Sequence, residues 1–129
     1  MMEFLNVDEM SIVPVFEQIE RQVQFAVASG RLKPTEKLPP VWETAKQLGV
    51  NVNTVRKAFR DLQVMGIVYT LRGQGTFISP GITKKCRETC RKQIIGRLHE
   101  VVAEAKAAGL TSKDLQEAVR KAYANAPDL

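Results

Sequence analysis

The segment from Leu38 to Phe77 leaves this chain few folds to choose from. Pro39-Pro40 opens a short helical stretch, Glu43-Thr44-Ala45-Lys46-Gln47-Leu48, with Ala45 and Leu48 as its expected core contacts. Gly49-Val50-Asn51 reads as a turn, because glycine readily ends one helix and asparagine readily caps the next. The following helix is expected over Val52 to Met65, stopped by Gly66. Ile67-Val68-Tyr69-Thr70 and Thr76-Phe77-Ile78 flank a Leu71-Arg72-Gly73-Gln74-Gly75 turn, the pattern of a β-hairpin. Helix, glycine turn, helix and hairpin is the order of a winged helix-turn-helix, whose second helix can enter a DNA major groove. The expected fold class is mostly α: a winged helix-turn-helix with a small β-hairpin wing, plus a C-terminal two-helix dimerisation region.

The helix after the turn has two unlike sides. At about 100° per residue, Val55, Ala58, Phe59, Leu62 and Met65 share one side. Asn53, Lys57 and Arg60 fall opposite, with Arg56 on the flank. The apolar side can seat the helix on its neighbours. The cationic side, richest near the N-terminal half, suits base edges and phosphates.

Elsewhere, Phe16, Ile19, Val23, Ala26 and Val27 recur at three- and four-residue spacing, so a helix is expected from Pro14 to Ser29-Gly30. Pro80-Gly81 breaks the pattern and divides the chain into a winged domain over 12–80 and a helical region over 81–129. Thr83 is the expected cap of a long helix through Ala108, closed by Gly109. Ile94, Leu98, Val101 and Ala105, with Ala108, are spaced as a short heptad-like seam. Thr111 and Asp114 resemble a capping box for a last helix ending near Ala124. Leu115, Val119 and Ala122 or Tyr123 are the residues expected to face the long helix. About 49 residues are few for an independent core, so a homodimer through the Ile94–Ala105 seam is expected.

Charge distribution says more than the net +5. Met1 to Glu20 holds five acids and no Lys or Arg. Lys37 to Arg72 holds six bases against two acids, and Lys84 to Lys92 five against one. A basic centre that coincides with a helix-turn-helix pattern suits a polyanion, here double-stranded DNA. The Lys84–Lys92 cluster reads either as a further phosphate contact or as a solvated helix face. The acidic start is unlike a secretory signal, and no apolar run approaches the roughly 20 residues of a spanning helix. A cytoplasmic protein without membrane contact is expected.

Several blocks also resemble the winged helix-turn-helix domain of GntR-type bacterial transcription regulators. They are Pro14-Val15-Phe16-Glu17-Gln18-Ile19, Ser29-Gly30-Arg31-Leu32-Lys33-Pro34, Lys37-Leu38-Pro39, Leu48-Gly49-Val50, Asn53-Thr54-Val55-Arg56-Lys57-Ala58 and Arg72-Gly73-Gln74-Gly75-Thr76-Phe77. The short tail is similar to that of the YtrA-like branch. The resemblance implies a homodimeric DNA-binding regulator, usually a repressor of a palindromic operator. It also implies contacts from the start of the second helix (Trp42, Thr44), from Asn51, Val52, Asn53, Thr54, Arg56 and Lys57, and from the wing tip Arg72, Gly73 and Gln74. The starts of two helices depart from the family's pattern. Pro40 and Trp42 stand where it has Ser and Arg, and Asn51-Val52 stands where it has Ser-Arg. Binding is then expected to persist at an unusual site: Val52 against a thymine methyl, Asn53 on adenine, Arg56 on phosphate or guanine, Trp42 on sugar and backbone. A partly buried Trp42 and a Val52 that simply starts the helix are the alternative.

Other chemistries find less support. Cys86 and Cys90 lie one helical turn apart beside Lys and Arg, which favours thiolate and a redox or metal sensor. Small apolar residues at a dimer seam explain them equally. The spacing is not that of a usual zinc pair, and His99 is the only histidine. Gly73-Gln74-Gly75 lacks the strand-to-helix setting of a phosphate loop. No Ser/His/Asp set or paired apolar carboxylates occur, so neither an enzyme nor a cofactor is expected. A winged-helix protein–protein adaptor with weak or no DNA binding is the alternative function. A small-molecule effector at the dimer interface would add to the first reading.

Overall fold

Val55, Ala58, Phe59 and Leu62 fall on one side of a helical wheel, and the computed structural model buries all four at the centre of the first of two compact units. It describes residues 2–126; Met1 and residues 127–129, the outer ends of the acidic start and of the tail region, lie outside the described residues. The elements are α1 (Val15–Ala28), α2 (Val41–Leu48), α3 (Val52–Val64), β1 (Val68–Leu71), β2 (Gly75–Ile78), α4 (Thr83–Ala107) and α5 (Ser112–Asn125). The first unit closes at Glu88 and the second begins at Thr89, both within α4.

In the first unit α3 packs on α1, α2 and β1. Its apolar side meets Ile19, Val23, Ala26 and Val27 from α1 and Ala45 from α2, with Leu32, Leu38, Ile67, Val68 and Ile78 completing the core. Each fully buried Val, Leu or Ile contributes roughly 1.5–3 kcal/mol relative to exposure. β1 and β2 pair antiparallel, with Val68 opposite Ile78 and Leu71 opposite Gly75.

The core extends beyond 12–80 at both ends. Met2 and Leu5 are buried in it, as are Ile82 and Cys86. The N-terminal segment is strapped to the helices by three glutamines. Gln22 exchanges two hydrogen bonds with the Asn6 backbone, at 2.9 and 2.7 Å. Gln18 does the same with Asp8 at 2.9 and 2.8 Å, and also donates to the Val13 carbonyl at 2.8 Å. Gln47 donates to the Met2 carbonyl at 2.9 Å. Two helix starts shift by one residue from expectation. Pro14 lies outside α1 with non-helical ψ of 146°, and its carbonyl accepts from Glu17 and Gln18. The carbonyl of Ile82, ahead of Thr83, accepts the Cys86 N–H at 2.9 Å. Arg87 Nε donates to the Ala28 carbonyl at 2.8 Å, satisfying an otherwise open carbonyl at the end of α1.

The second unit has little interior. Cys90 and Ala105 are buried, Leu115 is half-buried, and α5 buries no residue. Val119, Ala122 and Tyr123 are exposed, so within the chain they do not pack as expected. Thr111 does form the capping box: its hydroxyl accepts from Asp114 N–H at 3.1 Å, and the Asp114 carboxylate accepts from Thr111 N–H at 2.9 Å.

Candidate nucleic-acid interface

The turn between α2 and α3 fixes the direction of α3. Gly49 sits at φ +68°, ψ +33°, a left-handed conformation that costs a side-chain-bearing residue roughly 1–2 kcal/mol. This bend lets the Val50 N–H reach the Ala45 carbonyl at 3.1 Å, closing α2. Asn51 then leaves in an extended conformation, and its side-chain oxygen accepts the Asn53 N–H at 2.7 Å. The first turn of α3 carries no acid, so the partial positive charge of its N-terminus is uncompensated by a carboxylate there.

The exposed side of α3 carries Asn53, Arg56, Lys57 and Arg60. Arg56 Nη1 donates to Asn53 Oδ1 at 2.6 Å, so the two side chains act as one unit. Lys57 is drawn the other way. Its ammonium lies 3.3 Å from the Asp61 carboxylate and 4.6 Å from the centre of the Phe16 ring on α1. Glu20 of α1 adjoins this group. Burial, then repulsion from Asp61, pushes the Glu20 carboxyl up to about 7; a hydrogen bond to Asp61 and the charge of Glu17 push the same way, and Lys57 opposes them. Glu20 thus lies against a second carboxylate in a partly buried setting, which favours its protonated form.

The wing is tied to the same helix. Thr70 Oγ1 donates to Gln63 Oε1 of α3 at 3.2 Å and lies 3.3 Å from Thr76 Oγ1 across the hairpin. Tyr69 and Phe77 stack with centroids 5.5 Å apart. Gln74 N–H closes the turn on the Leu71 carbonyl at 2.9 Å. Arg72, Gly73 and Gln74 are exposed at the tip.

The residues expected to contact DNA thus sort into four groups. Trp42 is 63% exposed, and with Asn53, Arg56, Arg72, Gly73 and Gln74 it lies on accessible surface. Asn51 is exposed but spends its side-chain oxygen on the helix cap, while Lys57 is exposed but engaged by Asp61 and Phe16. Val52 and Thr54 are half-buried, and Val52 packs against the core. Thr44 requires a correction: it is 0% exposed because its position on α2 faces the core, and this side chain is closed to a duplex. Gln63, which anchors the wing, was not anticipated, since nothing in its local sequence distinguishes it from a solvated helix residue.

The seam residues divide similarly. Ile94, Leu98 and Val101 are 43%, 43% and 53% exposed. Ala105 is another correction: it is buried within its own unit, beside a turn in which the Leu110 N–H reaches its carbonyl, and it offers little surface to a partner. Cys86 and Cys90 are buried, and burial pushes the Cys90 thiol up, away from thiolate. Lys84, Lys85, Arg91 and Lys92 are exposed. Among the described residues no group of three His, Cys, Asp or Glu is placed to hold a metal ion, and no helix is long and apolar enough to cross a membrane.

Comparison with known proteins gives this surface a context. Residues 16–78 match the family described as "Bacterial regulatory proteins, gntR family". The chain is 35% identical to the HTH-type transcriptional repressor YtrA of Bacillus subtilis, over 94% of this chain and 93% of that protein. A GntR family transcriptional regulator from Listeria monocytogenes superposes with a TM-score of 0.72 at 27% identity, covering 89% of this chain and 98% of that one. The AraR DNA-binding domain, solved in complex with operator ORE1, superposes with a TM-score of 0.51 at 30% identity, covering 57% of this chain and 89% of that one.

Proposed function

The chain belongs to the GntR family of bacterial regulatory proteins and is a DNA-binding transcriptional regulator, not an enzyme; from that premise we propose that it is a homodimeric repressor of a palindromic operator. The observation that carries the reading is the exposed Asn53–Arg56 pair near the start of α3, on a helix capped by Asn51 and flanked by an exposed wing tip. Arg56, held by Asn53, is suited to guanine or phosphate. Asn53 retains its amide N–H donors for a base edge, and Arg72 supplies a cation from the wing. Trp42 stands exposed where the family pattern has arginine, and its ring suits contact with sugar and backbone. Lys57 contributes field near the helix rather than a fixed contact, since Asp61 already holds it. Thr44 supports the helix pair from inside.

Dimerisation is supported by the second unit, where Ile94, Leu98 and Val101 leave apolar surface uncovered on a single chain. A second copy covers such a surface most economically and presents two copies of α3 to half-sites roughly 34–36 Å apart. Repression is supported by the name borne by the Bacillus relative. A cytoplasmic site of action follows from the DNA partner. An effector at the dimer interface remains a secondary element of the proposal, with uncovered apolar side chains of α4 and α5 as its supporting surface.

Selection of duplexes from a random pool by the full chain tests this. Two inverted half-sites about one turn apart are expected; recovery of unrelated sequences without symmetry would contradict the palindromic dimer. An adaptor would retain little or no duplex.

A further inference from the structure

We propose that Lys37 is a phosphate-contacting residue of the wing, its ammonium carried along β2 toward the hairpin tip by a stem that lies over Gly75. The inference rests on the DNA-binding reading and adds to it a residue outside the helix-turn-helix and outside the hairpin.

The backbone around Lys37 forms a third edge on the wing. Thr35 N–H donates to the Ile78 carbonyl at 2.7 Å, Ile78 N–H to the Glu36 carbonyl at 2.9 Å, and Leu38 N–H to the Thr76 carbonyl at 2.8 Å. Lys37 therefore stands opposite Phe77 in an antiparallel bridge. The flanking bonds belong to its neighbours, so this is a non-hydrogen-bonded pair, the kind that brings side chains close. Lys37 then shares a face with Phe77 and with Gly75, two residues nearer the tip.

Gly75 provides the path. A Cβ built there would lie 2.8 Å from Lys37 Cε, 3.6 Å from Nζ and 3.8 Å from Cδ. The missing side chain is thus the space through which the lysine stem runs diagonally. Gly75 also has φ +125°, which side-chain-bearing residues rarely adopt. Two consecutive residues of strand span roughly 7 Å, so the ammonium is delivered well toward the turn that holds Arg72 and Gln74. The hairpin from Ile67 to Ser79 contains no Asp or Glu, and no carboxylate among the described residues forms an ion pair with Lys37. An exposed cation, guided along a strand and left without an acidic partner, fits a nucleic-acid phosphate, with Arg72 as its neighbour in function.

The test titrates fluorescently labelled mixed-sequence duplex DNA with the full chain across a salt series. Lys37→Gln is expected to weaken binding several-fold and to make the log–log salt slope shallower by roughly 0.9 per bound chain. Lys37→Arg is expected to keep both. Unchanged affinity and slope in Lys37→Gln, against a wild-type chain that binds, would overturn this inference alone. So would weakening in Lys37→Ala without weakening in Lys37→Gln, which would assign the stem a packing role only. A wild-type chain that captures no duplex would overturn the DNA reading and this inference with it.

Discussion

The two units use apolar residues in opposite ways. In the first, Ile19, Val23, Val27, Val55 and Leu62 are fully hidden, and what remains outside on α3, apart from Val64 at its C-terminal end, is polar or charged. In the second, Ile94, Ile95, Leu98, Val101, Val102 and Val119 are all exposed. A winged domain that closes its own core can devote its surface to a charged ligand. A tail that leaves such residues in water is built for apolar contact. On the proposed reading, DNA contact and self-association fall to different stretches of one chain.

The sharpest way to break this contrast is to alter one leucine in each unit. Leu62→Ala removes a fully buried side chain between helices and is expected to cost roughly 2–5 kcal/mol of stability, read by denaturant unfolding. A loss below about 1 kcal/mol would show that the first unit is not the tightly packed body described. Leu98→Glu places a charge on the proposed seam. It is expected to shift sedimentation toward monomer, by tenfold or more in the dimer constant, or at least about 1.4 kcal/mol. Because Leu98 is already 43% exposed, far-UV signal and unfolding of the winged domain should stay near wild type. An unmoved sedimentation profile would remove the seam.

The smallest effect concerns Glu20, whose partly hydrated carboxyl is screened by solvent. Its value rises from 4.5 in the ordinary state to about 7 in the fold, burial being the main cause. Between those values the folded chain keeps a proton that the unfolded chain releases. Stability therefore falls as pH rises through that window and stays reduced above it. Glu20→Gln is expected to flatten this dependence and raise stability above neutral pH, in thermal melts across the window. A variant with the wild-type pH profile would show that Glu20 titrates normally.

What was legible in the sequence follows from range. The 3.6-residue period of α1 and α3, the Gly49 turn, the Asn51 cap and the Thr111–Asp114 box are local, and each stands within a residue or so of its expected place. The features that escaped are contacts between distant segments. Met2 and Leu5 enter the core from a stretch too short to show a period, although Gln18 and Gln22, one turn apart, mark the side of α1 that binds it. Thr44 is hidden because α2 has only eight residues, and a polar side chain in so short an element gives no sign of facing inward. The capture of Lys57 by Asp61 was available as an i, i+4 pair, whereas the ring of Phe16 beneath it required the packing of α1 on α3. The lysine path over Gly75 depends on strand register, which single residues do not reveal.

The central claim is that the exposed side of α3, and not positive charge in general, meets DNA. The most direct measurement compares the affinity of two arginine variants for a selected duplex: Arg56→Ala on α3 and Arg120→Ala on α5, both exposed positions. The account predicts that Arg56→Ala weakens binding by at least about 1 kcal/mol while Arg120→Ala leaves it unchanged. Equal losses, or an Arg56→Ala chain that binds like wild type, would contradict it.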